Sequence, residues 1–369
     1  MGDTNPTFLT EIQFDKNLLL TTLKEHKSLL KQKSEQDILD IIIRNFEKKN
    51  FELITSQEIS FLNNHEKDIW ADYLIFRYKF RNFPKNHILA DYPVHLSVEP
   101  VSACNLRCTM CFQSDESFSS NKDFMGTMDL DLFKKIIDEA SNGSVGALTL
   151  ASRGEPTMNS NLDKMLEYIP KKFFEVKLNT NATLLNDKLI HSILDSNVTD
   201  MVFSIDSYNK ENYEKIRLRG IFEEVFENIK KFYQIKKEEY PNSLCTTRVS
   251  GVRVDENQDP IMFEKFWEKY VDYVVMVNME PWWDTYNNST DIASVDSCVY
   301  LWQKMNVWYD GKCNPCDIDY KSELSMGNLK ENSINEIWTS NAYNELRLAH
   351  TNNQRNQYSP CDRCPIGCS

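Results

Sequence analysis

Apolar residues in the first part of the chain fall at helical spacing. Ile38, Ile41, Ile42 and Phe46, and then Leu62, Ile69, Leu74 and Phe76, recur at intervals near 3.6 residues, the period of a helix with one buried face. No glycine interrupts residues 15–85. A helical extension is therefore predicted over residues 1–90, its many Lys and Asn side chains forming a solvated surface. From His95 onward the pattern changes to short apolar or β-branched runs at 95–99, 147–151, 175–179, 201–205, 247–252 and 273–279, each followed by an amphipathic stretch of helical length. Alternating strands and helices wind by right-handed crossovers into a parallel sheet. Six such units without a clear seventh and eighth predict an α/β fold, a partial (β/α)6 barrel over residues 91–285. Past Pro281 the alternation stops. Residues 286–369 read as a small separate module with one helix at 333–350, where Ser333 and Glu336 have the spacing of a capping box.

Composition narrows the function. A hydrophobic fraction of 41% supports a sizeable core. The chain has no apolar run of about 18 residues, and its first thirty residues lack the order of a signal peptide. A protein with no membrane partner and a cytoplasmic location is expected. The net charge of -13, with no basic stripe, makes nucleic acid an unfavourable partner. Ten cysteines in a reducing compartment point to metal ligation or redox work rather than to disulfides.

Their spacing carries the chemistry. The loop after the first strand reads Cys104-Asn105-Leu106-Arg107-Cys108-Thr109-Met110-Cys111-Phe112. Three thiolates on a four-iron cluster leave one iron open to a reactant, and the carboxyl end of a barrel strand is where such folds place active sites. A zinc site or buried thiols is the competing reading, although zinc ribbons use two matched CxxC pairs.

CxxxCxxC followed by an aromatic residue, in a βα partial barrel, resembles the radical S-adenosylmethionine superfamily over residues 95–281. The resemblance implies a catalytic 4Fe-4S cluster on Cys104, Cys108 and Cys111, with S-adenosylmethionine chelating the fourth iron through its amino and carboxylate groups. One electron then cleaves the sulfonium, and the 5'-deoxyadenosyl radical takes a hydrogen atom from the substrate. Ser152-Arg153-Gly154-Glu155-Pro156 is similar to the family's GGEP element, which contacts the methionine amino group. Arg153 stands where that element has its first glycine. By the same resemblance Asn179, Asn181, Ser204, Asp206 and Arg217 surround the ribose and carboxylate, and Phe112 offers its backbone to adenine. An electron donor such as flavodoxin or ferredoxin is implied.

The tail also has a counterpart. Cys298, Gly311 and Cys316, then Gly327-Asn328, Glu336-Ile337-Trp338 and Cys361-Asp362-Arg363-Cys364 resemble the SPASM module, a small iron-sulfur domain. This implies an auxiliary 4Fe-4S cluster on Cys298, Cys316, Cys361 and Cys364. Cys313 and Cys368 are extra, either able to replace one of the four, and four thiolates would also suit zinc. Lone Cys245, before the fifth strand, is the candidate hydrogen-atom donor in catalysis, or else a buried thiol near the amino end of its strand.

Three functional readings share these features. The first is action on a small molecule, a sugar or nucleotide-sugar type compound, by oxidation, epimerisation or elimination. The second is modification of a ribosomally made peptide, and the third a non-catalytic iron-sulfur carrier. The absence of strand patterns in residues 15–85, where peptide-modifying relatives often carry a strand-containing leader-binding unit, favours the small molecule. The aromatic segment from Pro281 through Trp282 and Trp283 to Tyr286 is suited to stacking a ring or to packing the junction.

Overall fold

The helical period of the first segment builds four helices, Lys16–Lys27, Lys33–Glu47, Ser56–Asn64 and Trp70–Lys85. In this computed structural model the described residues are 15–48, 50, 54–280 and 285–367, and the chain divides into two units after Ile88. In the first unit Leu19, Leu23, Ile38, Leu39, Ile42, Ile43 and Phe46 are buried, so the stripe runs through Leu39 and Ile43 and leaves Ile41 half-buried. Glu58 is fully buried, which costs heavily for an unpaired carboxylate. Its charge is met by Arg77 at 2.9 Å and Arg81 at 3.0 Å.

Among the described residues the second unit contains eleven strands. They are β1 (His95–Val98), β2 (Arg107–Cys108), β3 (Ala147–Leu150), β4 (Glu175–Thr180), β5 (Asp200–Ser204), β6 (Arg217–Leu218), β7 (Thr246–Arg253), β8 (Tyr273–Asn278), β9 (Lys304–Val307), β10 (Lys312–Asn314) and β11 (Gly327–Asn328). The six predicted strands are β1, β3, β4, β5, β7 and β8, and they lie in that order in parallel. The sheet does not close: β8 and β11 form its opposite edges. Alternation along the strands divides its faces. Leu96, Val98, Leu148, Leu150, Val176, Leu178, Met201, Phe203 and Val249 pack with Phe133, Ile136, Ile190, Ile229 and Phe232 into one core. Residues of the other parity give the opposite face a polar strip, Ser97, Thr149, Lys177, Asn179, Ser204, Arg248 and Ser250, with Val202 and Val252 among them.

The tail enters the same sheet rather than building its own. β9 pairs in parallel with β1, Lys304 opposite His95 and Val307 opposite Val98, and so satisfies backbone groups that β1 would otherwise leave bare. β10 and β11 extend the sheet in antiparallel fashion. The helix predicted at 333–350 is two, Ile334–Trp338 and Asn341–Thr351. Ser333 and Glu336 form the capping box of the first, whereas Ser340 caps the second through Tyr343 N and thereby ends the first. Among the described residues no helix is long and apolar enough to cross a membrane.

Candidate active site

The cysteine loop leaves β1 at Glu99 and is fastened at both ends. Leu106 is buried. Cys108, in β2, lies opposite Arg217 of β6 in an antiparallel pair, and Thr109 N donates to Ile216 O at 2.9 Å. Leu106 N points at Cys104 Sγ (3.4 Å) and Gln113 N at Cys111 Sγ (3.5 Å). Desolvation raises all three thiols, Cys104 and Cys111 to about 12, and each feels the charge of another or of Arg217, which pulls it down. Ionising three neighbouring thiols in a desolvated loop requires cations to balance them. The donor set therefore fits an iron cluster, whose binding expels the thiol protons.

The loop after β3 lies against this one. A Cβ at Gly154 would fall 2.3 Å from Val101 O and 2.4 Å from Ala103 O, so only glycine permits the approach. Glu155 N donates to Ala103 O at 2.9 Å. The buried Glu155 carboxylate accepts from Thr157 N (3.1 Å), Thr157 Oγ1 (2.6 Å) and Thr180 Oγ1 (2.6 Å) on Oε1, and from Asn181 N (2.7 Å) on Oε2. Burial raises its pKa against these donors. Glu155 thus ties the ends of β3 and β4 together, and Oε2, with a single bond, keeps acceptor capacity for an ammonium.

Arg153, in place of the family's glycine, forms a buried ionic knot. Its Nε and Nη2 donate to the two oxygens of Glu99 at 2.7 Å each, and Nη1 donates to Tyr320 O at 3.0 Å. The guanidinium lies 4.2 Å from the Trp308 ring centroid, and Glu99 also accepts from Tyr309 N at 3.2 Å. The ends of β1, β3 and β9 are joined at this point. Glu99 escaped the sequence reading, although its place at the strand end and the departure at Arg153 were a paired signal.

The remaining cofactor candidates gather at the same strand ends. Arg217 Nε lies 2.7 Å from Asp206 Oδ2. Burial opposes the charge of Arg217, but Asp206 and Cys108 raise its pKa overall. Asp206 also accepts from Val252 N at 2.8 Å. Ser204 closes β5 opposite Ser250. Asn181 Nδ2 donates to Asn105 Oδ1 at 2.9 Å and approaches Cys104 Sγ at 3.9 Å. Asn179 Oδ1 and Ser152 Oγ are buried without hydrogen-bond partners among the described residues. Phe112 stacks on Tyr320, with centroids 4.8 Å apart.

Cys245 is not brought to this group. It precedes β7, at the amino end of the sheet, and burial raises its thiol to about 12. Its Sγ meets the carbonyl of Thr246 at 3.8 Å and the backbone of Met201, within the apolar core. Hydrogen-atom donation at the strand ends is out of its reach. Cys245→Ala is expected to leave the iron content and the yield of 5'-deoxyadenosine unchanged, as read by iron assay and chromatography.

In the tail, Cys298, Cys316, Cys361 and Cys364 share one desolvated neighbourhood. Desolvation raises all four, Cys298 to about 11, and members of the set raise one another. Cys313 stands apart from the four. β10 directs it into the apolar core, its Sγ meets Gly311 O at 3.7 Å, and its charged neighbours are Asp310 and Glu139. Cys368 and residues 281–284, including Trp282 and Trp283, lie outside the described residues.

Sequence reasoning also missed His350, whose Nδ1 accepts from Cys298 N at 3.1 Å. Arg355, likewise unforeseen, donates to Cys364 O at 3.3 Å. Tyr286 donates to the Asp319 carboxylate and meets Tyr320 edge-on at 5.0 Å. Tyr320, in the loop that follows Cys316, therefore touches both Phe112 beside the first cysteine group and Tyr286.

Comparison with known proteins agrees with this geometry. Residues 98–266 match the model of the Radical SAM superfamily, and residues 298–365 match that of SPASM, an iron-sulfur cluster-binding domain. The chain is 26% identical over 323 residues to the tungsten-containing aldehyde ferredoxin oxidoreductase cofactor-modifying protein of Pyrococcus furiosus, a match covering 74% of this chain and 87% of that protein. It is 22% identical over 310 residues to the antilisterial bacteriocin subtilosin biosynthesis protein AlbA of Bacillus subtilis, covering 74% of this chain and 65% of that one. Among solved structures, Streptococcus suis SuiB bound to the precursor peptide SuiA has a TM-score of 0.59 at 15% identity, over 97% of this chain and 88% of the other.

Proposed function

We propose that this chain, which belongs to the radical S-adenosylmethionine superfamily and carries a SPASM iron-sulfur module, acts on a polar small molecule of the sugar or nucleotide-sugar type. It is an enzyme of that class, and its cofactors are S-adenosylmethionine, a catalytic 4Fe-4S cluster and iron-sulfur in the SPASM module. The polar face of the sheet beneath the cysteine loop carries the substrate reading, because an apolar substrate would leave those side chains without partners. The similarity to a cofactor-modifying protein supports it.

In this reading Cys104, Cys108 and Cys111 hold the catalytic cluster. When bound, cluster and cofactor supply a 5'-deoxyadenosyl radical that removes a hydrogen atom from the substrate. Glu155 Oε2 and the Gly154 backbone receive the methionine ammonium. Arg217, with Ser204, faces the cofactor carboxylate, while Asp206 fixes the guanidinium's direction. Asn179 and Asn181 offer hydrogen bonds to the ribose, and the Phe112 backbone lies by the adenine. Leu106 and the Phe112 ring keep water from the loop. Cys298, Cys316, Cys361 and Cys364 hold one auxiliary 4Fe-4S cluster, and a flavodoxin or ferredoxin delivers electrons.

A peptide substrate is the second reading, favoured by the similarity to the subtilosin biosynthesis protein. The radical step is tested without knowing the substrate. Protein reconstituted without oxygen, reduced with dithionite and given S-adenosylmethionine is expected to release 5'-deoxyadenosine. None from fully iron-loaded protein would overturn the proposal.

A further inference from the structure

Below the strand ends, the polar face of the sheet holds charges that the cofactor residues leave unused. Strand register lays out one row across it: Asn306 of β9 opposite Ser97 of β1, Ser97 opposite Thr149 of β3, Thr149 opposite Lys177 of β4, and Lys177 opposite Asp200 of β5. The row above sets Asn179 opposite Val202, and Val202 opposite Arg248 of β7. Their neighbours Leu148, Leu178, Met201 and Val249 belong to the core on the helix side, so these side chains emerge on the other face.

The charges there are unevenly matched. Lys177 and Arg248 share one carboxylate, Asp200, at 3.9 and 3.7 Å, longer than charge-assisted hydrogen bonds. Lys304 has Asp317 at 3.1 Å. His95, bonded to Thr149 Oγ1 at 2.8 Å, is held neutral: burial and then Lys304 and Lys177 lower its pKa to about 3. Glu175, at the start of β4, adds a more distant negative charge to Lys177.

The same side chains are incompletely covered and incompletely paired. Lys177 and Arg248 lie in the amino-terminal halves of β4 and β7, and 36% and 30% of their side-chain surfaces stay open. Arg248 Nε, Asn179 Oδ1 and both polar side-chain atoms of Asn306 are buried without hydrogen-bond partners among the described residues. Buried polar groups are rarely left so unless water or a ligand meets them.

We propose that Lys177 and Arg248 bind a carboxylate of the substrate, with Asn179 and Asn306 hydrogen-bonding its neutral part. The inference rests on the radical reading above and names the substrate class for that site. The Nε and Nη2 edge of Arg248 supplies the two parallel donors a carboxylate takes. At about 3.3 Å per residue, the strand ends at Thr180 stand about 10 Å above Lys177. That depth admits one sugar ring or one amino-acid residue, its reacting carbon turned toward the cysteine loop.

Calorimetric titration of the reconstituted, S-adenosylmethionine-loaded enzyme tests this with two matched pairs: glucuronate against glucose, and N-acetyl-aspartate amide against N-acetyl-asparagine amide. The anion of at least one pair is expected to bind about tenfold more tightly than its neutral partner, and Arg248→Gln to erase that preference. Preference for glucuronate assigns the carboxylate to a small molecule, and preference for the aspartate compound to an acidic peptide residue. Arg248→Lys keeps the charge without the fork; it is expected to retain part of the preference and decides the matter if the Gln variant does not fold. No preference for either anion, or an undiminished preference in the Arg248 variants, overturns the inference. Release of 5'-deoxyadenosine from the same preparations is scored separately. Its absence defeats the radical reading, whereas its presence without anion preference defeats only the carboxylate site.

Discussion

Alanine at Cys104, Cys108 or Cys111, taken singly, is expected to abolish 5'-deoxyadenosine formation, and the triple variant to keep about four of about eight irons per chain. The loop gives each sulfur its own support: Cys108 sits in the β2–β6 pair, and Cys104 and Cys111 each have a backbone N–H directed at them. No other described cysteine stands near enough to substitute. The irons retained after the triple change belong to the tail, whose four thiols touch none of the three. Chromatography reads the first outcome, and iron assay with the charge-transfer absorbance in the visible region reads the second. Retention of all the iron in the triple variant would place the catalytic cluster elsewhere, while about twelve irons in the unaltered protein would require a second auxiliary cluster.

The second large effect concerns a residue outside the cofactor contacts. Arg153→Gly restores the family's usual glycine, yet it is expected to destabilise the protein by about 3–5 kcal/mol, because Glu99 remains buried without its counter-charge. The double change Glu99→Gln with Arg153→Met removes both charges and is expected to recover much of that loss. Urea unfolding of oxygen-free protein distinguishes the two. A Gly variant as stable as the parent would mean that the pair contributes little.

Much of the fold was legible because local pattern and final packing coincide. The six parallel strands show β-branched runs between amphipathic helical stretches, and the first cysteine group follows one of them at fixed spacing. β9 was not legible. Lys304–Val307 is four residues long, follows only short 3-10 turns among the described residues after β8, and finds its partner β1 through sequence-distant backbone pairing. In the tail, the sequence set Cys313 apart from the four as extra but left it able to replace Cys316 or another of them. Strand alternation removes that freedom, placing Cys313 in the core with Val307 as its β10–β9 partner. Glu99 looked like an ordinary strand end until Arg153 was seen against it, and the polar lining at Lys177 and Arg248 becomes visible only when register lays separate strands side by side.

The β1–β9 pairing sets a schedule for synthesis. As the chain leaves the ribosome, β3 can dock on one side of β1 early, but the other side has no strand to meet until residues 304–307 emerge, after every other parallel strand has been made. Through that interval β1 presents a bare hydrogen-bonding edge of the kind that recruits strands from other chains. Glu99 at its end, awaiting the Tyr309 amide, is equally incomplete. Truncations that remove the tail would therefore yield a barrel with an open seam prone to aggregation, and loss of soluble protein, rather than loss of a cluster, would be their first symptom.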